Sequence, residues 1–403
     1  VRATLEKAET TQTEKQGFRL PSWLLTVLPL LTLALLLWAF VQLDPLRTLM
    51  GPLPPIEKLT IERIELRPEG MIAHVINGGP EPVTLAQVQV DDAYWPFEVH
   101  PSLEIPRLGR VTVIIPYPWV EGESHTVRLV SSTGVTFEGS VEVAVETPRP
   151  DPSFWFMFTL LGFYVGIVPV ALGLMWFPLL KRLGRQGLDF ILALTVGLLV
   201  FLLVDTVIEG IEVARQIPDV FQAVPLVFFA GMLSFLTLIA VSRSRSSTNS
   251  SRLWLATMIA LGIGLHNLGE GMAIGAAISL GEAALGAFLV IGFTLHNITE
   301  GIGIGAPITQ EKPSLLQLAG LAALAGGPAI IGTWVGGFSY SPLLSVLFLA
   351  IGAGAILQVV YEVSRLLVPK GTRNAASAAS WVNVAGLATG IAIMYLTAFL
   401  VKF

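Results

Sequence analysis

Two stretches decide how this chain is read: LHNLGEGMAIGAAI (265–278) and LHNITEGIGIGAPI (295–308). Each sets a His, an Asn and a Glu into an apolar run. The second repeats the first at His266/His296, Asn267/Asn297, Glu270/Glu300 and Gly271/Gly301. His and Glu stand at i and i+4, so on a helix they share one face, one turn apart. Asn lies on the flank of that face. The connection SLGEA is short, which makes the two helices antiparallel neighbours. Facing each other, they can bring two imidazoles and two carboxylates together, an N2O2 set. A carboxylate at the centre of a bilayer costs several kcal/mol unless it is paired or hydrated. One intramembrane His or Asn can be explained by a hydrogen bond to a neighbouring helix. Two copies of one pattern on adjacent helices are better explained as halves of a coordination shell. Such a mixed set suits Zn, Fe(II), Mn or Co better than Cu(I) or Ca.

The rest of the chain supplies the setting. Of its 403 residues, 53% are hydrophobic and only 13% charged, against about 25% charged in soluble domains. Apolar runs near 20 residues match the length of a membrane-crossing helix. The net charge of −5 suggests no nucleic-acid partner. With no cysteine, disulfide scaffolds, thiolate metal sites and thiol catalysis are excluded.

From residue 154 onward eight apolar runs follow one another, at about 154–180, 188–214, 221–242, 253–279, 283–305, 315–337, 342–367 and 379–401. Before them, 1–20 reads as a polar cytoplasmic tail and 21–44 as a retained signal-anchor helix, because no small-residue cleavage site follows it. Residues 51–148 hold about seven short alternating stretches separated by turn residues, the pattern of an antiparallel β-sandwich. TPRPDPS (147–153) links it to the eight-helix domain, 154–403. The loops KRLGRQG, SRSRSSTNSSR, ITQEKPS and PKGTRNAAS hold most of the Lys and Arg of the second half. The positive-inside rule puts them in the cytoplasm. The sandwich is then extracytoplasmic, and the expected location is the plasma (inner) membrane, multi-pass.

Other charges lie within the runs. The second run carries Asp205 and Glu209, again i and i+4, and both can attract cations near the outer mouth. The seventh carries Glu362, with Gln358 one turn before it and Arg365 just after. His74, His100 and His125 fall in the sandwich, where surface or core roles are the default.

The H-N-x-x-E-G pattern on a fourth and a fifth helix, a carboxylate-bearing second helix (LLVDTVIE) and an acidic seventh (GAILQVVYEV) together resemble the ZIP (Zrt/Irt-like) divalent metal transporters. The resemblance covers about residues 154–403. It implies an eight-helix transport fold with His266, Glu270, His296 and Glu300 as the primary ligands. It also implies that Asn267 and Asn297 border a second metal position, and that Asp205, Glu209 and Glu362 lie along the ion path. The sequence departs from the family in three places. Gly269 and Thr299 stand where Pro usually precedes the motif Glu. Gly327, before Pro328, stands where the sixth helix usually supplies a ligand carboxylate. The anchor and sandwich lie outside the family's core.

The expectation is therefore a carrier, not an enzyme, that moves a divalent cation (Zn, Fe, Mn or Co) towards the cytoplasm through one mononuclear site. Its partners are the ion and the lipid bilayer, with a homodimer left open. A binding or sensing protein that has lost transport is the alternative, motivated by Gly327. An intramembrane metalloenzyme fits less well, since neither H-E-x-x-H nor Glu-x-x-His is present.

Overall fold

A computed structural model describes residues 22–43, 56–244, 252–368 and 380–401. The predicted tail 1–20 and the larger parts of two basic loops lie outside the described residues. Helix α1 (Ser22–Leu43) coincides with the expected anchor. Its apolar side chains, Leu30, Leu36 and Trp38 among them, are exposed.

Nine strands follow among the described residues: β1 (Leu59–Arg67), β2 (Gly70–Asn77), β3 (Val83–Val90), β4 (Ala93–Trp95), β5 (Glu98–His100), β6 (Glu104–Ile105), β7 (Arg110–Ile115), β8 (His125–Ser131) and β9 (Thr136–Val141). They form two antiparallel sheets, ordered β1-β2-β7-β5 and β4-β3-β8-β9, with β6 beside β3. Six of the seven expected strands correspond to β1, β2, β3, β7, β8 and β9. The sequence missed β4, β5 and β6 because two or three residues are too short to show alternation. The alternating apolar residues of both sheets, such as Met71, Val75, Val113, Val88 and Leu129, share one buried cluster. A bulge at Glu62 shifts the register of β1, and Arg63, Glu65 and Arg67 then alternate onto one face.

Helices form at all eight predicted runs: α2 (Pro152–Leu180), α3 (Arg185–Arg215), α4 (Ala223–Ser244), α5 (Arg252–Ser279), α6 (Ala283–Gly305), α7 (Leu315–Ser339), α8 (Pro342–Leu367) and α9 (Trp381–Val401). All but α5 are long and apolar enough to cross a membrane, giving seven such helices among the described residues. Helix α5 misses that measure because its polar motif and glycines dilute a 28-residue helix, 18 of whose residues are buried.

The boundaries follow local chemistry. Asp151 caps α2, accepting from the backbone N–H of Ser153 and Phe154 at 2.9 Å each, with Pro152 at the first helical position. Ser314 and Gln317 close a capping box on α7. At the end of the bundle where α2 begins, three loops meet the β sheets. Lys58 pairs with Asp219 at 2.6 Å, Gly281 lies against the Val143 carbonyl, and Arg63 Nη1 donates to the Tyr340 carbonyl at 3.1 Å.

Candidate metal centre

The two motifs land where the repeat predicts, midway along α5 and α6. His266, Asn267, Glu270, His296, Asn297 and Glu300 are all buried, none more than 6% exposed. Ligand atoms of His266, His296 and Glu300 lie within 4.8 Å of one another. Glu270 Oε1 sits between the imidazoles, 2.9 Å from His266 Nε2 and 2.7 Å from His296 Nε2. The structure thus brings the four expected ligands together. A small cavity of about 10 Å³ opens beside His296, Thr299 and Glu300, about the space of one water-sized occupant.

The polar groups divide into satisfied and unsatisfied. Both imidazole Nε2 atoms are turned to one carboxylate oxygen and donate to it where they carry the proton. Glu270 Oε2 and Glu300 Oε1 have no partner among the described residues. Among the described residues no Lys or Arg pairs with either carboxylate. In a low-dielectric interior an uncompensated carboxylate is costly. Positive charge from outside the chain, a proton or a metal cation, would compensate these carboxylates. The donor set of imidazole nitrogens and carboxylate oxygens fits a divalent transition metal.

The asparagines are held by backbone carbonyls that sequence reasoning missed. Asn297 Nδ2 donates to the Val165 carbonyl at 3.0 Å. Val165 lies in a π-helical turn of α2, Phe163–Ile167, and four residues later comes Pro169, which has no N–H to offer that carbonyl. The proline was the available signal. Asn267 Nδ2 donates to the Ala325 carbonyl at 3.0 Å and, more loosely, to Glu300 Oε2 at 3.4 Å. Ala325 lies in the last turn before α7 breaks at Gly327–Pro328. Both Asn Oδ1 atoms are buried without a partner among the described residues.

No family model matches this chain, and no curated protein matches it.

The remaining predicted path residues scatter. Glu209 lines a cavity of about 230 Å³ with Glu282, Tyr340 and Ser345, and this cavity reaches Gly269, next to Glu270. Asp205 is exposed beside Phe201 and Tyr395 in a lateral hollow. Glu362 is buried in the half of α8 away from the β sheets, where its Oε1 accepts from Ser242 Oγ at 2.9 Å. Arg365 stands 3.7 Å from its other oxygen.

Proposed function

We propose that this protein carries a divalent transition-metal cation across a membrane, as ZIP-like transporters do. The eight helices act as one transport bundle, α5 included, and the two sheets act as an extracytoplasmic sandwich over its outer mouth. The observation that carries the reading is the buried His266–Glu270–His296–Glu300 cluster, two of whose carboxylate oxygens have no partner.

A chemical sequence follows from the residues. A hydrated cation enters the cavity lined by Glu209 and Glu282 and reaches Gly269. It sheds water against Glu270 and Glu300, and the imidazoles turn their Nε2 lone pairs from Glu270 to the metal. Protons held on those nitrogens must leave, so binding and proton release are coupled. The ion then continues towards the end of the bundle that bears the basic loops KRLGRQG and ITQEKPS, which we assign to the cytoplasm. With Gly327 in place of a sixth-helix carboxylate, one metal is held, not two.

Purified protein in vesicles tests this with Zn, Mn, Fe(II) and Co uptake. Wild-type protein should give saturable uptake of at least one ion, lost in Glu270→Ala and Glu300→Ala. Uptake that survives both substitutions removes the site from the pathway. Equilibrium binding of the ion without any flux in the wild type would instead favour a sensing or binding protein, the reading that Gly327 motivates.

A further inference from the structure

Outside the His/Glu cluster, one buried side chain stands out for what it lacks. Gln358 on α8 is fully buried, and neither Oε1 nor Nε2 has a hydrogen-bond partner among the described residues. Buried side-chain amides are rarely left with both ends unmet. The surroundings show that room is kept for it. Gly262 of α5 faces it, and a Cβ at that position would come within 3.1 Å of Gln358 Oε1. Gly262 is four residues before His266, so the amide lies one helical turn from the metal centre, on the His266 face of α5. Its neighbour Val359 lines the small cavity beside His296 and Glu300. On the other side, one turn along α8, is Glu362 with Ser242 and Arg365 around it.

We propose that Gln358 is a transient oxygen ligand on the ion path, between the His/Glu centre and Glu362. The inference rests on the transport reading and deepens it. An amide oxygen suits this place. It can replace one water of a passing cation, yet it carries no charge that would trap the ion, and conduction requires weak binding at intermediate stations. Its Nε2–H can donate to water or to a carboxylate while its oxygen faces the ion. The two unmet groups mark a side chain whose partners arrive with the ion.

The absence of cysteine from the chain gives a clean test, since any single introduced thiol is the only one. In vesicles, Gln358→Cys should react with a membrane-impermeant methanethiosulfonate, and Zn2+ or Co2+ should slow that reaction. Gln358→Leu should lower metal uptake by about tenfold, the rate equivalent of one unmade buried hydrogen bond. Its equilibrium affinity for Co2+ should stay within about twofold, because the ligand cluster is untouched; with binding intact, misfolding is not the cause of lost flux. Gly262→Ala, whose Cβ would lie 2.6 Å from Val359 Cγ2 and 3.1 Å from the amide oxygen, should fall between Gln358→Leu and the wild type. A thiol that stays unreactive in Gln358→Cys overturns the proposal, as does full uptake by Gln358→Leu. A wild type without flux overturns the transport reading itself, and this inference falls with it. A wild type with flux separates the two failures.

Discussion

The His/Glu cluster of the β region and that of the bundle have opposite electrostatics. In the β region, Glu65 meets Arg63 Nη2 at 2.7 Å, Arg67 Nη2 at 2.5 Å and His74 Nε2 at 2.9 Å. The hydrogen bond from His74, reinforced by the two guanidiniums, holds the Glu65 carboxyl down to about 2. In the bundle, two glutamates meet two imidazoles and an asparagine, with no guanidinium or ammonium beside them among the described residues. The first carboxylate is neutralised by permanent cations of the chain. The second pair can be neutralised only by something that arrives and departs. Residue type alone does not separate a structural cluster from a candidate metal site; the presence or absence of a fixed counter-charge does.

The sharpest way to break this contrast is to remove one carboxylate from each cluster. Glu300→Gln should weaken Co2+ binding by more than about 100-fold, beyond the roughly 10- to 100-fold typical of groups that only support a metal ligand. Glu65→Gln should leave that affinity unchanged. Equal losses in isothermal titration would erase the distinction. A second test is pH. Metal affinity at the bundle site should fall as pH drops through the histidine range, with proton release measurable by the buffer dependence of the binding heat. A pH-independent affinity between about 8 and 6 would mean that the imidazoles are not ligands.

The β cluster should respond to acid differently. Glu65 has a depressed folded-state pKa, so its contribution is present above the unfolded carboxyl range and is lost as pH falls towards about 2. That contribution is roughly 1–3 kcal/mol after allowing for partial exposure. Tryptophan fluorescence of the full chain in detergent should show an acid transition that Glu65→Gln removes in part. An unchanged transition would show that the guanidiniums find other partners. The smallest effect is expected at Asn297. Its amide is anchored on a backbone carbonyl and touches no ligand carboxylate, so Asn297→Ala should weaken binding by only about threefold, whereas Asn267→Ala, which also releases Glu300, should cost about tenfold. The reverse order would reassign Asn297 to the metal.

Much of this was legible in the sequence, for identifiable reasons. The His–Asn–x–x–Glu–Gly repeat specified the pairing of α5 with α6, because i, i+4 spacing and a short loop leave few arrangements. Apolar runs marked the seven membrane-length helices and α5 as well. What stayed hidden lies in the backbone or in long-range contacts. Val165 and Ala325 act through carbonyls, of which only the first is hinted at, by Pro169 four residues on. Asp205 and Glu209 share a helix and a spacing, yet Glu209 lines the cavity that reaches Gly269 and Asp205 faces outward. Only the rotation of α3 decides that. Gln358 was visible as a neighbour of Glu362, but its lack of partners appears only when α5 and α8 are packed.

The glycines of the bundle bear on motion. Where α5 meets α7, a Cβ on Gly271 would lie 2.2 Å from the Ala329 carbonyl, and one on Gly336 would lie 2.0 Å from the Met272 carbonyl. Gly301 of α6 meets α2 at the Val170 carbonyl, and Gly166 of α2 meets α7 at the Gly326 carbonyl, each at 2.2 Å on the same measure. These backbones mesh like gear teeth, so α2, α5, α6 and α7 cannot slip past one another by a residue. Gly354 of α8 meshes with α4 at Gly231, and Gly390 of α9 with α3 at Leu194. All four candidate donors therefore ride on one interlocked block, whereas Gln358 and Glu362 ride on α8, which meets α5 less tightly, a Cβ on Gly352 lying 3.2 Å from the His266 Cα. If the block slides against α8, the ion's coordination sphere travels whole, and Gln358 is a fixed post that it passes. Disulfides engineered across α5 and α7 should then leave uptake intact, and one that joins α5 to α8 should stop it.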